Sequence, residues 1–323
     1  MGFIRACALA LAVMIAADVA SGHTQPRYPA RLITIVVPIT PGTAMDIQAR
    51  LYADGLSRKY GYQVIVENRP GAGTLIGAQT VAKAAPDGYT ILFTNSAHTI
   101  LGTMNKNLPF DPIGDFAGIV LTGQTPAVVT VAPSLGVHNL KEFVALAKAK
   151  PDTVNYGSAG IGTATHLAGA YFAYKTGTQL VHVPYTVTQS IITDLLSGTI
   201  QATFAPEAFT LPWLQDGRLL GLAVGAERPL TDPIQIPTAT SAGADYAFST
   251  WYGFLAPAKT PPAVLQALHD AIVDVANDPQ IAAKIRVQGI TPASIGLKDF
   301  EAYIRNDMQR LSPLLADIGK SKG

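Results

Sequence analysis

The sequence predicts an α/β protein, with helices packed on the faces of parallel sheets. Three observations predict it. Runs rich in β-branched residues, such as RLITIVVPI (Arg31–Ile39) and YQVIVEN (Tyr62–Asn68), read as buried strands. Each is followed by a short loop rich in Gly, Pro and Thr and then by a helical pattern. The order strand, helix, strand, helix, strand occurs in two separate parts of the chain, as in sheets covered by helices. With 323 residues, 48% of them hydrophobic and 14% charged, the chain is long enough for two compact domains.

In order, the first strand (Arg31–Ile39) leads through TPGT into a helix from Ala44 to about Lys59. Thr43 is placed at its N-cap, and Asp46 three residues on completes a capping box. The second strand (Tyr62–Asn68) leads through RPGAGT into a helix ending near Ala84. A turn at Pro86–Gly88 precedes a strand from Tyr89 to Thr94. A second unit follows: a strand at Ala127–Ala132, a helix at Asn139–Lys148 and a short strand at Thr153–Tyr156. NYGSAGIGTATHLAG (Asn155–Gly169) then opens another helix. Strands are expected at Leu180–Tyr185, Ile200–Ala205 and Leu219–Gly225, with a helix at Ser190–Gly198 that stops at glycine. A last strand, Trp251–Ala258, precedes a helical C-terminal region. No low-complexity tract and no short-period repeat is present.

The first 22 residues read as a secretory signal. Arg5 provides the positive start, Ala6–Ala17 the apolar stretch, and Ala20-Ser21-Gly22 the small residues of a cleavage site. The apolar run is short for a membrane span, and no later segment is long and apolar enough for one. A periplasmic location is therefore expected. The single cysteine, Cys7, lies in the signal, which excludes thiol catalysis, disulfides and cysteine metal sites from the processed chain. The formal net charge of +1 and the lack of any basic block argue against a nucleic-acid partner.

The informative feature is a repeated junction in which a strand ends, a Gly- or Thr-rich loop follows and a helix starts. It occurs at Thr40–Ala44, Pro70–Thr74, Gly157–Thr163 and, less clearly, Tyr185–Ser190. In a parallel sheet such loops gather at the carboxyl ends of the strands. Helix N-termini there offer unpaired N–H groups to an anion without a buried lysine or arginine. Any one of these loops can equally be a tight glycine turn. Sharper motifs are missing. Gly71–Gly77 has Ile76 where a dinucleotide fingerprint needs glycine, and there is no G-x-x-x-x-G-K-[ST]. Ser158 is not in a G-x-S-x-G elbow. His166 falls in the first turn of a helix, where a histidine packs or caps. His98, His138, His166 and His182 lack metal-ligand spacing.

The segments PITPGTAMDIQAR, VENRPGAGTLIGAQTVAKAAPDGYTILF, NYGSAGIGTATHLAG, HVPYTVTQSIITDLLSG and STWYGFLAPAKTP occur in this order. Together they resemble the tripartite tricarboxylate transporter substrate-binding receptors, also called Bug proteins, from about Tyr28 to the C-terminus. The resemblance implies a two-domain periplasmic binding protein of the Venus-flytrap type, each domain a mixed, mostly parallel sheet flanked by helices. Domain 1 would be discontinuous, residues 30–128 plus 250–323, and domain 2 would be residues 129–249, with crossing strands near Ala127–Ala132 and Trp251–Ala258. It implies a receptor without enzyme activity, metal or cofactor. Such a receptor binds a small organic carboxylate between the domains and delivers it, as a monomer, to the membrane components of a tripartite transporter. The ligand-binding residues it implies are Gly42, Thr43, Gly73, Thr74, Ser96, Ser158, Gly160, Gly162, Thr163, Tyr185, Thr188 and Glu207. The chain departs from the family's pattern at Thr43 and Thr74, where glycine is usual. It departs again at Thr186-Val187-Thr188, where a lysine and glycines are usual. Two other readings stay open on the sequence: a secreted α/β enzyme using Ser158, Ser96 or His166 on a carboxylate, and a receptor that signals to a sensor kinase.

Overall fold

The structure, a computed structural model, describes residues 28–104, 107–231 and 234–320. The signal-peptide expectation for residues 1–22, Cys7 included, lies outside them. No helix among the described residues is long and apolar enough to cross a membrane.

The chain begins with β1 (Ile33–Val37), α1 (Ala44–Tyr60), β2 (Val64–Asn68), a 3-10 turn (Ala72–Thr74), α2 (Leu75–Ala82), β3 (Thr90–Asn95) and α3 (Ala97–Met104). A long strand, β4 (Phe116–Val131), follows. Next come α4 (Leu140–Ala149), β5 (Asn155–Ser158), α5 (Ala164–Thr176), β6 (Val181–Pro184), α6 (Gln189–Ser197), β7 (Ala202–Pro206), α7 (Glu207–Gln215) and β8 (Leu220–Val224). The chain returns through β9 (Ser249–Pro257) to α8 (Pro262–Ala276), α9 (Pro279–Arg286), β10 (Thr291–Gly296) and α10 (Leu297–Lys320). The α/β class read from the sequence is the observed one.

The strands run in the order β2-β1-β3-β9-β4-β7-β5-β6, with β10 and β8 also paired to β4. Pairs β1–β2, β1–β3, β5–β6 and β5–β7 are parallel, and β9 is antiparallel to both β3 and β4. β4 changes neighbours along its length. Phe116 to Pro126 pair with β9, whereas Ala127 to Val131 pair with β7 and β8. Pro126 sits at this change of partners, a place where a missing N–H disturbs the ladder least.

The register fixes how the two halves of the sheet meet. Asn95, the end of β3, lies beside Tyr252, which pairs with Gly123 of β4. Pro206, the end of β7, pairs with Ala127 of the same strand. β1 and β2 run parallel to β3, and β5 and β6 run parallel to β7. All their carboxyl ends therefore point toward the short stretch of β4 between Gly123 and Ala127. At the rise of an extended strand, that stretch makes the floor about 13 Å long.

Two large apolar clusters flank this floor. One packs β1, β3 and β9 against α1, α8 and α9 through Ile33, Ile35, Tyr52, Phe93, Phe254 and Ile272. The other packs the later strands against α4 and α5 through Val129, Phe143, Tyr156, Phe172, Phe204 and Tyr246. β4 is buried along nearly its whole length, so both of its faces are covered.

Candidate functional site

The N-termini of α1 and α5 are built alike. Thr43 caps α1, accepting the Asp46 N–H at its Oγ1 (3.4 Å) and donating to the Thr40 carbonyl (3.2 Å). Thr163 caps α5, accepting the His166 N–H (3.4 Å) and donating to the Gly160 carbonyl (2.7 Å). The backbone angles of the two threonines agree closely, with φ −78° and ψ 162° at Thr43 and φ −77° and ψ 162° at Thr163. The preceding glycines do too, with φ +83° at Gly42 and +82° at Gly162, a region that favours glycine. Each glycine N–H is taken by the side chain four residues on. Gly42 donates to Asp46 Oδ2 (2.9 Å) and Gly162 to His166 Nδ1 (3.1 Å). The common pattern is Gly-Thr-Ala-x-Asp in one half and Gly-Thr-Ala-x-His in the other. His166 is thus a capping residue, as its place in the first turn predicts.

This bonding leaves specific amides open. A helix start has several N–H groups without an intrahelical acceptor. At these two, the N–H groups of Ala44 and Met45 and those of Ala164 and Thr165 have no hydrogen-bond acceptor among the described residues. They lie at the positive ends of two helix dipoles, where negative charge is favoured.

Both seats are braced from behind. Asp46 is buried, and it also accepts from Asn68 Nδ2 (2.9 Å) and pairs with Arg50 (3.0 Å). Burial opposes its ionisation, but Arg50, the Gly42 N–H and Asn68 together hold the carboxyl below its ordinary pKa. In the other half, Ser158 is fully buried. Its Oγ lies 2.6 Å from His182 Nε2 and accepts the Gly160 N–H (3.1 Å). The His182 ring stacks on His166 with centroids 4.0 Å apart, and burial lowers its pKa.

The Ser158–His182 contact is not legible in the sequence, because it depends on the register of β5 against β6, in which Tyr156 lies opposite His182. It is not built as a nucleophile–base pair. The hydroxyl is fully buried, and among the described residues no carboxylate hydrogen-bonds the ring to orient it. No cluster of His, Cys, Asp and Glu among the described residues is arranged to hold a metal.

The third loop is different. Gly71, Ala72, Gly73 and Thr74 all have positive φ (133°, 46°, 63° and 84°), which is unfavourable for Ala72 and most of all for the β-branched Thr74. Thr74 is at the N-cap of α2 but makes no side-chain cap. Its buried Oγ1 has no hydrogen-bond partner among the described residues. In the fourth loop, the Tyr185 N–H donates to the Ser158 carbonyl (2.9 Å), tying this loop to the Gly160 loop. The Tyr185 hydroxyl is committed to Asp194 (2.6 Å), and Thr188 is exposed at the start of α6.

Two further residues singled out in the sequence lie at the ends of strands. Ser96, just beyond β3, is buried and its Oγ accepts the Trp251 N–H (3.0 Å), which fastens β9. Glu207 begins α7, directly after β7, and is half-buried.

Comparison with known proteins agrees with this architecture. A profile of the tripartite tricarboxylate transporter family receptor matches residues 48–320. A UPF0065 protein of Bordetella pertussis is 32% identical over 311 residues, covering 96% of this chain and 95% of the relative. A TctC solute-binding protein from Polaromonas, solved without ligand, superposes with a TM-score of 0.81 at 26% identity. That match covers 90% of this chain and 99% of the other. An R. palustris protein solved with adipate has a TM-score of 0.73 at 27% identity, covering 89% of this chain and 97% of the other.

Proposed function

This chain belongs to the tripartite tricarboxylate transporter receptor family, a family of solute-binding receptors rather than enzymes, and on that premise we propose that it is exported to the periplasm, captures a small organic carboxylate between the two halves of its sheet and delivers it to the membrane components of a tripartite transporter. In this reading residues 30–128 plus 250–323 form one lobe and residues 129–249 the other, joined through β4 and β9. The change of partners in β4 at Pro126 supports that division.

The observation that carries the reading is the pair of like-built Gly-Thr-Ala loops. Each presents two open N–H groups at a helix start, and the strands before both end in the direction of the same short stretch of β4. A carboxylate has two oxygens able to accept from such a pair. The adipate-bound relative supports the same ligand chemistry. The proposed contacts come from the loops of Gly42–Thr43, Gly73–Thr74, Ser158–Thr163 and Tyr185–Thr188, with Glu207 at the edge. Ser96 and Ser158 act by holding backbone in place.

Proline substitution tests the seats without removing a side chain that supports the fold. Ala44 and Ala164 are the first helical residues, where proline is well tolerated and only an N–H without an intrahelical partner is lost. The extended threonine before each is compatible with a following proline. A hydrogen bond to a charged group contributes roughly 1.5–3 kcal/mol. Ala44→Pro and Ala164→Pro should therefore keep the melting temperature while weakening carboxylate binding about tenfold to a hundredfold in calorimetry. Wild-type affinity in both variants would place the ligand elsewhere. Conversion of the bound carboxylate by the wild-type protein, followed by mass spectrometry, would overturn the receptor reading.

A further inference from the structure

The same junctions carry a second property, and it bears on which carboxylate the protein takes. Of the ten large apolar side chains exposed among the described residues, four sit at the strand–loop–helix junctions that face the floor. They are Ile47 in the first turn of α1 (43% exposed), Ile76 in the first turn of α2 (45%), Ile161 between Gly160 and Gly162 (51%), and Val187 after Tyr185 (62%). Each of the four junctions contributes one. Charge is scarce in the same places. Across the loops 38–43, 69–74, 159–163 and 185–188 the only charged side chain is Arg69, and it is paired with Glu67 at 2.7 Å. Three of the hydroxyls at these loops are committed, that of Tyr185 to Asp194 and those of Thr43 and Thr163 to their own caps, whereas Thr74 Oγ1 has no hydrogen-bond partner among the described residues.

We infer that the gap selects a carboxylate whose body is apolar, aliphatic or aromatic, over hydroxylated acids and compact polycarboxylates. This rests on the carboxylate-receptor reading and deepens it. The open amides at Ala44–Met45 and Ala164–Thr165 satisfy carboxylate oxygens. They are partial charges, suited to one or two carboxylates and not to a dense cluster of them. The exposed large apolar side chains at these junctions, Ile47, Ile76, Ile161 and Val187, are all aliphatic. A ligand body with several hydroxyls would lose water there and find few partners, which is costly, whereas a methylene chain or ring gains by leaving water. A floor about 13 Å long also favours a small molecule over a folded partner.

Matched probes test this by calorimetry. Adipate and galactarate have the same carboxylate spacing and differ by four hydroxyls. Cyclohexanecarboxylate and quinate share a ring and a carboxylate and differ likewise. The apolar member of a binding pair should be preferred at least tenfold, with a negative heat-capacity change on binding. Ile161→Asn and Val187→Asn, both at exposed loop positions, should reduce that preference severalfold while the melting temperature stays unchanged. Equal or tighter binding of galactarate, quinate or citrate by the wild-type protein would overturn the apolar assignment and leave the receptor reading intact. A preference that survives both substitutions would overturn the role given to these side chains. Failure of every one of these carboxylates to bind would remove the receptor reading and this inference together.

Discussion

Thr43 and Thr163 cap equivalent helices with the same backbone angles, but the side chains that complete the two loops differ in charge. Asp46 is a buried carboxylate that accepts from Gly42, Asn68 and Arg50. Asp46→Asn keeps the shape but loses the charge, and should destabilise the fold by roughly 1.5–3 kcal/mol, the value of a hydrogen bond to a charged group. The pH dependence has a definite sign. The folded pKa of Asp46 is depressed, so its contribution is fully present above the unfolded value of about 3.9 and is lost as pH falls through the lower folded value. Urea unfolding of both proteins should show the gap between them at pH 7 and its narrowing below about pH 4. A gap that stays constant down to pH 2 would show that Asp46 does not act through its charge. At this scale the sequence was legible wherever the partner is near in the chain. The Thr43 cap and the His166 cap both close within four residues. Ser158 and His182 meet only because two strands pair in one register, and the open amides become identifiable only once every neighbouring bond is placed.

Among the elements, α10 ties the two halves of the molecule together. Its Asp307 is buried and accepts from Thr99 Oγ1 (2.8 Å), Trp251 Nε1 (3.2 Å) and Arg310 (2.7 Å). Arg310 also donates to the Ala247 carbonyl and lies over the rings of Tyr171 (5.0 Å) and Phe248 (5.5 Å). One helix therefore contacts α3 and β9 on one side and α5 on the other. Arg310→Leu leaves a buried carboxylate short of its counter-charge. Breaking a fully buried pair costs several kcal/mol, and because the Arg310 side chain is 29% exposed a loss of about 2 kcal/mol is expected. Adding Asp307→Asn should cost less than the sum of the single changes, a coupling that a double-mutant cycle on urea unfolding measures. Strict additivity would show that the two side chains do not act as a pair. The elements missed in the sequence have physical reasons. The first part of β4 contains Gly123 and Pro126, which weaken a strand pattern, and its nearly continuous burial hides the period of two, so only Ala127–Ala132 stands out as a strand in the sequence. β10 is short and bulged and forms only by pairing with β4.

For the whole molecule, what could be read in advance was the class and the repeated junction, because both come from local pattern. The meeting of the two sets of loops is a matter of strand order and register. If ligand draws the halves together about β4 and β9, as hinge closure does in periplasmic binding proteins, small-angle scattering should give a smaller radius of gyration with a saturating carboxylate than without. An unchanged radius in a protein that calorimetry shows to be loaded would count against closure. The sharing of β4 between the two halves also bears on the order in which the chain can fold. β5 to β8 lie between β4 and β9 in the chain and find their partners among themselves and in the end of β4. β3 must wait for β9, since Asn95 pairs with Tyr252, and β4 must wait for β10. Pairings so far apart in the chain form late. The central part of the chain is therefore poised to acquire its structure first, while the earliest residues keep an open sheet edge until the last third of the chain arrives to cover it.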